Sequence, residues 1–201
     1  MTGEPLVIDG SGRRLAARLH LPSAPPHRGA VVCHPHPEYG GDMHNAVVVA
    51  VARALAAAGI AALRFDFGRP FGSGGPEVDD ARAALDALAG RLPAGAPRQL
   101  VGYSFGAWVA LRAAAAPVAS VVAIGPPLAF LDWAFLETLA VPVRFVAGDR
   151  DQFCDVAQLA GIVAAHAHFA LATLAGADHL LTAREADVAT LAVRLLGGRG
   201  A

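Results

Sequence analysis

Lysine does not occur in this chain; its 16 basic side chains other than histidine are all arginine. Against them stand 17 Asp and Glu, for a formal net charge of −1. No basic stripe is present, so nucleic acid is not an expected partner. There are only two cysteines, Cys33 and Cys154. One possible pair is no disulfide framework, and both read as small buried hydrophobes in a reducing compartment. No run approaches the ~18 apolar residues of a membrane span. Ala46 to Ala58 comes nearest, but Arg53 interrupts it and it reads as a core helix. Met1-Thr2-Gly3-Glu4-Pro5 lacks the basic and then apolar pattern of a signal peptide, so a cytoplasmic location away from membranes is expected. There is neither an internal repeat nor a linker, and residues 1–201 are expected to form a single domain.

Hydrophobic residues make up 55% of the chain and charged ones 16%, a composition that buries a core. Leu6-Val7-Ile8 and Leu15 to Leu21 flank Asp9-Gly10-Ser11-Gly12, which predicts a β-hairpin. Strands and helices then alternate. Strands are expected over 30–33, 60–65, 100–103, 118–124, 143–146 and 168–174. Helices are expected over 45–58, 78–90, 105–116, 156–165 and 184–196. Continuous apolar strands separated by helices indicate an α/β fold: a mostly parallel sheet of about eight strands, with helices on both faces and an antiparallel hairpin at one edge. Ligands of such sheets bind at the carboxyl ends of the strands.

Gly102-Tyr103-Ser104-Phe105-Gly106 stands at one such end, between a strand and a helix. G-x-S-x-G in that setting reads as a nucleophile elbow. Ser104 would sit at the apex of a sharp, strained turn, and a Cβ two residues to either side would collide with the neighbouring backbone. A serine hydroxyl needs a histidine base, and the base needs an acid to orient it. The expected chain order is Ser, acid, His. His179, in Ala175-Gly176-Ala177-Asp178-His179, is the one histidine after Ser104 in a loop at a carboxyl end. Gly148-Asp149-Arg150-Asp151 offers two acids; Asp151 is preferred and Asp149 is the alternative.

Acyl transfer also needs backbone N–H donors for the developing oxyanion. One is expected from Phe105. The second is expected from His34-Pro35-His36-Pro37, where the prolines have no N–H and His36 is the remaining candidate. A metal site on His34, His36 and His44 is set aside, because no Asp or Cys stands at ligand spacing. His34 is better read as a brace between loops, and Asn45 as a helix N-cap. The loop 65–75 is Gly-rich but lacks P-loop lysine and dinucleotide spacing. It is expected to wall the active site. Phe130, Leu131, Trp133 and Phe135 are candidates for an acyl pocket, with core packing the alternative. Their connection is too short for a large lid. No cofactor is called for, and oligomeric state, monomer or homodimer, is open.

These residues resemble the α/β-hydrolase superfamily, and within it small lidless bacterial serine hydrolases with an HPHP-x-[YF]-GG-x-M-x-N segment. Here that segment is His34-Pro35-His36-Pro37-Glu38-Tyr39-Gly40-Gly41-Asp42-Met43-His44-Asn45. The resemblance runs on through Leu63 to Phe67, Gly102 to Gly106, Gly148 to Asp151 and Asp178-His179. It departs after Phe67, where Gly68-Arg69-Pro70-Phe71 precedes Gly72-Ser73-Gly74. It implies Ser104 as nucleophile, Asp151 as acid, His179 as base, and His36 and Phe105 as oxyanion donors. The expected substrate is a small carboxylic ester with a short acyl chain. A thioesterase, amidase or acyltransferase would use the same groups. A non-catalytic binding protein that kept the fold is the reading from another class.

Overall fold

The apolar runs do become the strands of one eight-stranded sheet, ordered β1-β2-β4-β3-β5-β6-β7-β8. The computed structural model describes residues 3–10, 12–71, 74–115 and 117–197. β1 (Glu4–Gly10) and β2 (Arg13–His20) pair antiparallel, with Gly10 opposite Arg13, and β2 continues antiparallel onto β4 (Ala61–Phe65). Ser11, expected in the hairpin turn, lies outside the described residues. From β4 onward every pairing is parallel, through β3 (Gly29–Cys33), β5 (Arg98–Tyr103), β6 (Val118–Ile124), β7 (Val143–Gly148) and β8 (Phe169–Leu174).

Alternation along the strands divides the core. Ala30, Val32, Val101 and Tyr103 face α1 (Ala46–Ala57) and α5 (Glu185–Gly197). Val31, Cys33 and Leu100 face the opposite way, toward α2 (Gly75–Ala89), α3 (Phe105–Ala113) and α4 (Val156–Ala164). Both faces are covered, so the parallel strands read as unbroken apolar runs.

Several boundaries differ from the sequence pattern. Helix α2 begins at Gly75, not Val78, because Pro76 suits a first helical turn and Glu77 Oε2 accepts the Gly74 N–H at 3.0 Å. Helix α3 ends at Ala113, where Ala114 turns extended; Ala116, its expected last residue, lies outside the described residues. Two short 3-10 turns, Pro37–Tyr39 and Ala134–Thr138, carry too few residues to show a period. Residues 125–142 join β6 to β7 with only the second of these turns, so no lid is built there. Both cysteines are buried free thiols; burial pushes Cys154 up to about 12. Among the described residues no helix is long and apolar enough to cross a membrane.

Candidate active site

The turn between β5 and α3 places Ser104 at φ 56°, ψ −121°, a conformation L-residues rarely hold. The flanking glycines make this possible. A Cβ on Gly102 would lie 2.0 Å from the Gly106 carbonyl oxygen, and one on Gly106 2.4 Å from that of Cys33. Ser104 Oγ lies 2.9 Å from His179 Nε2. On the far side of the ring, Nδ1 lies 2.9 Å from both carboxylate oxygens of Asp151. A carboxylate only accepts, so Nδ1 carries the proton and Nε2 is left to accept from the serine.

Asp151 is itself fixed, its Oδ1 accepting the N–H groups of Phe153 and Cys154 at 2.9 and 3.0 Å. Asp149 turns elsewhere: its Oδ1 accepts the Gly176 N–H at 2.7 Å, tying the loop after β7 to the loop after β8. His179 is held from its backbone too. Tyr103 Oη donates to its carbonyl at 2.8 Å, and Gln152 Oε1 accepts its N–H at 3.4 Å. Gly125, at φ 51°, passes so close that an added Cβ would sit 3.4 Å from Asp151 Oδ2.

The segment after β3 approaches from the other side. His34 is buried, and its Nδ1 donates to the Pro35 carbonyl at 2.6 Å while Nε2 accepts from the Phe67 N–H at 3.1 Å. Burial lowers its pKa, which keeps the ring neutral and able to make both bonds. With both nitrogens committed to backbone, His34 braces the loop and has none left for a metal. His36 Nδ1 accepts from Glu38 N–H at 3.2 Å, and the His36 ring rests on Phe105 with centroids 4.6 Å apart. Gly40 turns the chain at φ 81°. Among the described residues, neither the His36 nor the Phe105 amide donates to a backbone carbonyl. Phe105 opens α3, where unpaired amides and the helix dipole favour negative charge. A hydroxyl with an imidazole acceptor beside two unengaged amides can attack a carbonyl and hold the resulting oxyanion.

Residues 30–196 match the alpha/beta hydrolase domain family. The chain belongs to that family. It is 30% identical over 191 residues to an uncharacterized protein of Rickettsia prowazekii, covering 87% of this chain and 80% of that one. Among solved structures, this alpha/beta hydrolase is similar to a serine hydrolase homologue from Coxiella burnetii, at TM-score 0.88 and 29% identity, covering 98% of each chain. It is also similar to a serine hydrolase without lid from Xanthomonas campestris, at TM-score 0.86 and 30% identity, covering 98% of this chain and 95% of that one.

The hydrolase has a cleft of about 650 Å³ over Ser104. Not every residue expected there is present. No described residue of the loop 65–75 lines it; Gly72 and Ser73 lie outside the described residues. Gly68 to Pro70 are held instead against the hairpin and α2 by Arg13 and Asp80, partners more than ten residues away that local sequence does not reveal. Phe130 and Leu131 line the cleft, whereas Trp133 and Phe135 stack together and Phe135 packs on Trp108. Asn45 both caps α1, its Oδ1 accepting from Val47 and Val48, and borders the cleft. Tyr103, Phe153 and Leu180 also line it and were not singled out by the sequence pattern. Each directly precedes or follows a singled-out residue or stands two beyond one, and that adjacency is the signal available.

Proposed function

We infer that this hydrolase cleaves carboxylic esters through Ser104 as nucleophile, His179 as general base and Asp151 as the acid that orients it. The observation that carries this reading is the continuous set of 2.9 Å contacts from Asp151 through His179 to Ser104. His179 Nε2 takes the hydroxyl proton as Ser104 Oγ bonds to the ester carbon. The amides of His36 and Phe105 stabilise the oxyanion. The tetrahedral species collapses, the carbon–alkoxy bond breaks, and His179 returns the proton to the leaving alcohol. Water then repeats the sequence on the acyl-enzyme and releases the acid. The groups needed are all side chains and amides of the chain, so no cofactor enters.

A short acyl arm is part of the reading, because the 125–142 connection offers nothing to cover a long chain. So is a single domain over residues 1–201, supported by one sheet with every helix of the described residues packed against it. Two buried free thiols suit the cytoplasm. The test is hydrolysis of p-nitrophenyl esters from acetate to decanoate, wild type beside Ser104→Ala. Turnover should fall by a factor on the order of 10³–10⁶ in the variant, with the best rates at short acyl lengths. A folded Ser104→Ala protein with wild-type turnover, or wild type that neither turns over an ester nor labels with a fluorophosphonate, would overturn the assignment.

A further inference from the structure

Five large apolar side chains are exposed among the described residues: Val7, Leu21, Tyr39, Phe130 and Leu180. Three of them border the one cleft over Ser104, with Tyr39 88%, Phe130 67% and Leu180 63% exposed. Scattered exposed apolar residues are ordinary; a group around one cleft marks a surface meant to be covered. Two of the three stand on the His179 side. Leu180 follows His179 directly. Phe130 ends a ladder of rings that starts at the imidazole: Phe153 meets His179 at 4.7 Å and 65°, and Phe130 meets Phe153 at 5.0 Å and 64°. The ladder is firmly mounted. The Phe153 N–H donates to Asp151 Oδ1 at 2.9 Å, and the Ala129 N–H donates to the Phe153 carbonyl at 3.2 Å. The backbone that carries both rings is therefore fixed to the Asp151 loop before any ligand arrives.

On the ester-hydrolase reading, His179 must hand a proton to the leaving oxygen. That oxygen lies within hydrogen-bond reach of Nε2 when the bond breaks. The carbon skeleton attached to it then leads outward along Phe153 and Phe130. Among the described residues the cleft lining contains no Asp, Glu or Arg to pair with a charged group, and Asp151 and Asp178 lie close by to repel an anion. We propose that the leaving group is a bulky, uncharged alcohol with an aryl or arylalkyl skeleton, gripped by Phe153, Phe130 and Leu180. This rests on the ester-hydrolase reading, and it concerns the alcohol arm, leaving the acyl arm short.

The test holds the acyl group at acetate and varies the alcohol among members of similar acidity: ethyl, benzyl, 2-naphthylmethyl and 4-carboxybenzyl acetate, followed by acid release. kcat/KM should rise at least about tenfold from ethyl to the benzyl and naphthylmethyl esters, mainly through KM. The 4-carboxybenzyl ester should fall back toward the ethyl value. Phe130→Ala should cut the benzyl-to-ethyl ratio about fivefold and Phe130→Tyr should keep it. A flat series, or an unchanged ratio in Phe130→Ala, overturns the proposal. A second readout needs no turnover: titration of benzyl alcohol into the Ser104→Ala protein, followed by NMR, with ethanol and 4-(hydroxymethyl)benzoate as controls. Benzyl alcohol binding that weakens in Ser104→Ala/Phe130→Ala, with no acetate hydrolysed by wild type, would keep the apolar-alcohol site and sink the ester reading. Acetates hydrolysed at one common rate, with no benzyl alcohol bound, would do the reverse.

Discussion

Tyr103 Oη reaches from the end of β5 to the carbonyl of His179 and is one of the hydrogen bonds that hold the backbone of the loop carrying the imidazole. Burial pushes its ionisation well up, and Asp151, Asp178 and Glu185 add to this, so the phenol remains a donor at any working pH. Tyr103→Phe keeps the ring in the cleft wall and removes only the donor. It should cost about 1 kcal/mol of stability in urea unfolding. On the ester-hydrolase reading it should also lower kcat several-fold with little change in KM; an unaltered kcat would reduce Tyr103 to a wall residue. At this scale the sequence was uneven. Ser104 and His179 stood out because a glycine-spaced turn and a lone loop histidine leave few alternatives. Asp151 was preferred but Asp149 stayed open as the alternative, since two residues of spacing say little about which carboxylate turns to the imidazole. The Gly176 N–H that engages Asp149 comes from 27 positions away.

Beyond the backbone ladder between β2 and β4, Arg13 ties the hairpin to the loop after β4 and to α2. Arg13 donates to the carbonyls of Gly68 and Pro70 at 3.0 Å and of Pro76 at 2.8 Å, and its guanidinium pairs with Asp80 Oδ2 at 2.9 Å. Asp80 is fully buried, and desolvation raises its pKa despite that partner. Arg13→Met would strand a buried carboxylate and should cost about 3–5 kcal/mol. Arg13→Met/Asp80→Asn should recover a large part of that loss. A single-variant cost below about 1 kcal/mol in denaturant titration would show that the pair does not fasten the hairpin. Strands and helices were legible as elements because apolar runs of strand length alternate with helical periods. The course of the loop 65–75 was not, because Arg13 and Asp80 hold Gly68 and Pro70 and the loop's own sequence carries no trace of them. The 3-10 turn at Pro37–Tyr39 was equally hidden, being three residues long.

Across the whole molecule, groups that serve the site gather at the carboxyl ends of β3, β5, β7 and β8, while the hairpin edge holds a titrating group of its own. His20, buried on β2, accepts from Arg64 Nε at 2.9 Å and has no partner for Nδ1 among the described residues. Desolvation first, then the charges of Arg64, Arg53 and Arg18, lower its pKa to about 4. The folded chain therefore keeps this imidazole neutral to pH about 4, whereas the unfolded chain protonates it near 6.5. Between those values the unfolded state binds more protons, so stability falls as pH drops. It is fully present above 6.5, and the loss is complete once the folded group also protonates. Urea unfolding from pH 4 to 7 should show this slope, at most about 1.4 kcal/mol per pH unit, and His20→Gln should flatten it. An identical slope in the variant would assign the acid sensitivity to other groups. At the opposite end of the sheet, Gly106 lies directly against the Cys33 and His34 carbonyls, so the strand leading to His36 and the helix opened by Phe105 meet backbone to backbone. The cleft walls, by contrast, are side chains on separate loops: Tyr39, Phe130, Phe153 and Leu180. A lineage can exchange those side chains one by one without shifting either amide or the serine. The taste of the enzyme and its manner of attack can then be inherited separately.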